Sequence, residues 1–163
     1  MSWRSRWWWA AALIVSSAGA ARLLFLDHSF FGPMDIPAVC PGWDAYMTAG
    51  PVLGEVLVRV PPLWFAGLPG LVLAFLTHLV SLRLGRPRIG VVVPRAVAAL
   101  LLAAYGTGPV AFAVDMAVDR TCLDTWGGSL GVAFFLTANV AATLAALCVL
   151  AAVRRSSRRA VLG

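Results

Sequence analysis

The sequence predicts an all-α integral membrane protein, a four-transmembrane-helix bundle with both chain termini in the cytoplasm. Three observations predict it. Of the 163 residues, 61% are hydrophobic and 12% charged, against roughly 45–50% and about 25% in soluble domains. A chain this short has too little interior to hide that excess from water. Four apolar segments each approach the roughly 20 residues that cross about 30 Å of hydrocarbon. The third observation is that arginines and carboxylates segregate into alternate connections between those segments.

The whole chain reads as one membrane domain. Helix one is expected over about 7–26, from the run WWWAAALIVSSAGAARLLFL. Its Ala18-Gly19-Ala20 also has the form of a signal-peptide cleavage site, so removal of helix one is the alternative. The apolar run resumes at Leu23-Leu24-Phe25-Leu26, and Trp3, Trp7, Trp8 and Trp9 suit an interfacial belt. Both features favour a permanent helix. An outer loop, 27–54, follows. Helix two is expected over 55–83, with an outer extension back to Val52 and kinks at Pro61-Pro62 and Pro69. A cytoplasmic loop, 84–93, leads to helix three, 94–116, kinked at Gly106-Thr107-Gly108-Pro109. After an outer loop at 117–128, helix four covers 129–153 and a cytoplasmic tail 154–163. None of the four alternates with period two, and all are apolar around their circumference.

Charge sets the orientation. Ten arginines (Arg4, Arg6, Arg83, Arg86, Arg88, Arg95, Arg154, Arg155, Arg158 and Arg159) flank the segments on one side with no carboxylate among them. All seven carboxylates fall on the other side, around the first outer loop (Asp27, Asp35, Asp44, Glu55) and the second (Asp115, Asp119, Asp124). The positive side is cytoplasmic. The net charge of +6 therefore predicts topology and contact with anionic lipid headgroups, not nucleic-acid binding. Every basic residue is arginine and none is lysine, which fits GC-rich bacterial coding and a bacterial plasma membrane. Asp27, Asp115 and Asp119 end up near helix C-termini, where a negative charge costs about 0.3–1 kcal/mol. They must be solvated or paired.

Cys40 in AVCPGWD and Cys122 in RTCLDTW then share the oxidising outer face, one in each loop, and are expected to form a disulfide. Closing a loop of about 80 residues contributes at most roughly 4–5 kcal/mol. Cys148 lies inside helix four and cannot reach them. A C-x-x-C pair, the usual mark of dithiol redox catalysis, is absent.

Glu55 and Arg59, and Asp115 and Asp119, are spaced four apart on helix faces. With Arg22 they predict an ion-pair network in which Arg22 and Arg59 reach Asp115 or Glu55. A sharper reading makes Glu55, Asp115 and Asp119 ligands of a divalent cation, although such sites need more oxygen ligands than one helix offers. Within the apolar segments Asn139 and His78 are candidate polar sites. Asn139, near mid-span, suits specific packing or a path, and His78 suits a headgroup or a carbonyl. Small-residue ladders, Ala12/Ser16/Ala20, Ala99/Ala103 and Ala138/Ala142/Ala146, suit tight helix packing. Asp27-His28-Ser29 has triad residue types, but consecutive positions cannot converge on one atom. There is no H-E-x-x-H, G-x-S-x-G, phosphate-binding or dinucleotide motif. The expectation is therefore a non-enzyme without metal or cofactor: an interaction or accessory component whose outer face (Asp35, Trp43, Tyr46, Trp126) meets another membrane or extracytoplasmic protein. The alternative is a subunit of a small oligomeric transporter or channel, which implies a homo-oligomer.

Overall fold

Runs rich in Ala, Leu and Val, without the alternation of strands, wind into helices along nearly all of the described chain. The computed structural model describes residues 3–25, 40–86, 88–126 and 128–159, and no strand occurs among them. In order the helices are α1 (Trp3–Phe25), α2 (Pro41–Arg59), a short 3-10 turn (Pro61–Leu63), α3 (Trp64–Arg83), α4 (Ile89–Tyr105), α5 (Thr107–Val118), α6 (Cys122–Thr125) and α7 (Gly128–Arg159). α1 packs on α7 and α3, α4 packs on the same two, and α2 packs on α5.

Two stretches, Pro61–Arg83 and Thr137–Arg154, are long and apolar enough to cross a membrane, with mean hydropathies of 1.8 and 1.6. α4 and α5 make a third if the 48° bend between them lies within one span. Among the described residues, two or three helices are therefore long and apolar enough to cross a membrane, where the sequence predicts four crossings. Leu73, Leu76 and Val80 on α3, Leu100 on α4, and Leu144 and Leu147 on α7 point outward and are exposed. Contiguous apolar surface of this kind is rare on soluble monomers and ordinary on membrane helices.

The expected boundaries shift where prolines and caps intervene. The outer loop 27–54 contains helix α2 from residue 41, because Pro41 stands at its first position and Asp44 in its first turn, both N-terminal signals. Residues 27–39 lie outside the described residues. The single helix expected over 55–83 is two helices. A residue before proline is pushed out of the α region, and Val60, before Pro61, sits at φ −115°, ψ 86°. Phe65, Ala66 and Gly67 then take left-handed conformations, with φ of 50°, 55° and 77°. For Phe65 and Ala66 that costs roughly 1–2 kcal/mol each. Helix 94–116 begins earlier, at Ile89, bends at Gly106 and runs on to Val118. The loop expected at 117–128 includes α6, and α7 continues to Arg159, into the expected tail.

The kinks free backbone carbonyls, and side chains of neighbouring helices take them up. The Ser16 hydroxyl of α1 donates to the Ala66 carbonyl at 3.0 Å, and the Tyr105 hydroxyl of α4 to the Leu63 carbonyl at 2.6 Å. Pro94 has no N–H to offer the Gly90 carbonyl four residues back. That oxygen instead lies 2.7 Å from His78 Nδ1, on α3. These three carbonyls are met by side chains of the protein, the arrangement that non-aqueous surroundings favour.

Small residues line the centre. Ala12, Ser16 and Ala20 on α1 are buried, as are Ala138, Ala142 and Ala146 on α7. A Cβ on Gly19 would lie 2.8 Å from that of Ala141, so α1 and α7 approach closely there. The Ala99/Ala103 ladder faces outward and forms no interface among the described residues. Trp9, expected in the interfacial belt, is instead 1% exposed in the core, while Trp3 and Trp7 stay outside.

Candidate functional site

The polar features gather where α2 begins and α5 ends. Cys40 precedes α2 in an extended conformation and offers no side-chain cap to the helix. The first N–H groups of α2 therefore need another acceptor. Asp115, in the last turn of α5, supplies it. Its Oδ1 accepts from the Gly42 N–H at 2.7 Å, and its Oδ2 from the Trp43 N–H and from Trp126 Nε1, both at 2.8 Å. Asp115 is fully buried. A carboxylate unfavourable at the C-terminus of its own helix is thereby placed on the N-terminal dipole of another.

Close approach makes this possible. A Cβ on Gly42 would collide with the Ala111 carbonyl oxygen and come within 2.8 Å of Asp115 Oδ1. Cys40 and Cys122 close the arrangement as a disulfide, with Cα atoms 5.9 Å apart, and both are buried. The Thr125 hydroxyl of α6 lies 3.4 Å from Cys40 Sγ. Around this centre Trp126 contacts three rings: Trp43 (centroids 4.9 Å apart), Phe112 (5.6 Å) and Tyr46 (5.8 Å). Trp126 is 1% exposed, so it is a core residue of this unit and not the contact surface expected of it.

The expected ion-pair network takes a different form. Glu55 and Arg59 pair with each other on the exposed side of α2. Asp115 is saturated by three N–H donors. The Arg22 side chain and Asp35 lie outside the described residues. Asp119 is exposed and accepts from the Thr121 N–H at 2.9 Å. That backbone bond, and then the Thr121 hydroxyl, hold its carboxyl below the ordinary carboxylate range. Glu55, Asp115 and Asp119 thus engage separate partners and do not converge as a cation site. Cys40, Asp115 and Cys122 do bring ligand atoms within 4.8 Å of one another, but the two sulfurs are bonded to each other. Cys148, on α7, is the free cysteine among the described residues.

The two intramembrane candidates lie in separate places. Asn139 Nδ2 on α7 donates to the Tyr46 hydroxyl at 3.4 Å, tying the bundle to α2. His78 is 2% exposed, and its Nδ1 meets the Gly90 carbonyl, one of the two partners its position suggested. Its Nε2 and the indole N–H of Trp9, whose ring centroid is 5.6 Å from its own, are buried without partners among the described residues.

What the sequence reading missed is the capping role of Asp115 and the helix it caps. The signal was present: Pro41 and Asp44 after Cys40 spell a helix start. No family model, curated protein or solved structure matches this chain.

Proposed function

We propose that the chain is a multi-pass bacterial plasma-membrane protein, with α1 as the fourth crossing and both termini cytoplasmic, that acts as a non-enzymatic interaction component. One observation carries the reading: the disulfide and Asp115 weld α2, α5 and α6 into a rigid unit beyond the span that begins at Pro61. That unit presents Met47, Val52 and Val56 on α2 as exposed side chains. Its buried polar centre is engaged in holding it together, and the exposed valines and Met47 stand beside exposed Asp44, Glu55 and Arg59, a mixed surface suited to contact with another protein. Photo-crosslinking in cells tests this. A photoreactive residue at Met47 or Val52 is expected to yield one discrete protein adduct, lost in Cys40→Ser, while the same residue at Leu73 yields none. Absence of adducts from every exposed position of α2 would remove the reading.

A second reading, a subunit of a small oligomeric transporter or channel, draws support from two adjacent helix breaks. The unwound segment at Val60–Gly67 and the bend at Gly106 are joined through Tyr105 and Leu63, and broken helices recur at transporter sites. This reading requires oligomers. A strictly monomeric mass in detergent opposes it, and liposome flux that survives Asn139→Leu removes Asn139 as a lining residue.

A further inference from the structure

We infer that the groove between α1 and α3 at the arginine-rich end binds an acidic phospholipid of the cytoplasmic leaflet, with Arg6 as its phosphate contact. The inference rests on the membrane reading and orientation proposed above. The groove has a volume of about 420 Å³ and is lined by Arg6, Trp9, Ala10, Leu13, Phe75 and Leu79. That lies within the range of roughly 300–1,000 Å³ typical of small-molecule sites. Five of its six lining residues are hydrocarbon or aromatic, which suits an acyl chain and not a polar metabolite.

Its one charge is a cation. Arg6 is exposed and has no carboxylate partner among the described residues. The first turn of α1 contains no acidic residue to neutralise it. A ligand that satisfies both ends must join an anion to a hydrocarbon chain.

The other grooves repeat the polarity. A second groove at the same end, between α3 and α4, has apolar walls of Leu76, Val80 and Ile89 and again one arginine, Arg86. The groove at the opposite end, among α1, α5 and α7, has no charged lining residue. Of these three grooves among the described residues, the two with a cation lie at the end where the leaflet is expected to be anionic.

The test uses full-length protein stripped of lipid in an uncharged detergent. Phosphatidylglycerol or phosphatidylcholine with identical chains is titrated in, and bound lipid is counted by native mass spectrometry. A preference of about fivefold for phosphatidylglycerol is expected, the contribution of one arginine at an anionic surface. Arg6→Gln abolishes it, whereas Arg6→Lys and Arg154→Gln keep it. Ala10→Trp, which fills the slot, removes the site for both lipids, and glycerol 3-phosphate, lacking chains, does not compete. Retained preference in Arg6→Gln overturns the inference. An equal loss in Arg154→Gln means diffuse attraction, and competition by glycerol 3-phosphate means a free-phosphate site; either overturns it too. Release of the protein from membranes by alkaline carbonate sinks the membrane reading itself. Carbonate-resistant protein with no lipid preference sinks this inference alone.

Discussion

Asp115 does the work of three residues at once: cap for α2, acceptor for an indole, and neighbour of the disulfide. Replacing it by alanine strands the N–H groups of Gly42, Trp43 and Trp126, of which the first and last are buried bonds. Each buried donor left without a partner costs roughly 1–3 kcal/mol. Asp115→Ala is therefore expected to lose about 3 kcal/mol or more, read as an earlier thermal transition by tryptophan fluorescence in detergent. A variant as stable as the wild type would show that water replaces the carboxylate and that the cap is dispensable. Gly42 is tested separately. Its added methyl would meet backbone on α5, which cannot swing away as a side chain can. Gly42→Ala should lift α2 off α5 and destabilise strongly, while Gly85→Ala, where nothing lies within 4 Å, should cost only its left-handed backbone.

At the scale of elements, the helix breaks are stable because other helices complete them. Pro94 and His78 form the clearest couple: the proline removes a donor from the Gly90 carbonyl, and the imidazole replaces it. Restoring an N–H with Pro94→Ala should make His78 less necessary. A double-mutant cycle of Pro94→Ala and His78→Leu is expected to give a coupling of about 1 kcal/mol, with the His78 substitution milder in the alanine background. Additive effects would mean that His78 acts through packing against Trp9 and not through its hydrogen bond. This pairing also marks how far sequence can be read. Pro61-Pro62, Pro69 and the Gly106–Pro109 stretch announce where helices bend, since proline acts on its own chain. Which side chain covers each freed carbonyl depends on helix neighbours fifty residues away, as Ser16 and Ala66 show. Sequence spacing carries no record of that. The same limit explains Asp115. Its charge and its helix end are visible locally, and suggest an ion pair, but its real partner is the start of a helix 72 residues earlier.

For the whole molecule, orientation decides which end meets which environment. Ten arginines gather at one end and the disulfide lies toward the other. One bears on insertion bias and the other on redox compartment, and both agree with the orientation proposed above. On that proposal the Cys40–Cys122 disulfide lies outside and the loop carrying Arg86 inside. The prediction is a labelling pattern in intact cells. In a Cys148→Ser background, a cysteine placed at Leu84 should resist a membrane-impermeant maleimide, and one placed at Thr48 on the exposed side of α2 should react. Both positions are exposed and helical or turn-like, so the contrast reports sidedness and not burial. Permeabilising the cells should make Leu84→Cys react as well, which rules out a cryptic thiol. Labelling of Leu84→Cys in intact cells would invert the molecule. The disulfide would then face a reducing compartment, the α2 surface would meet cytoplasmic partners, and the Arg6 groove would open toward the outer leaflet.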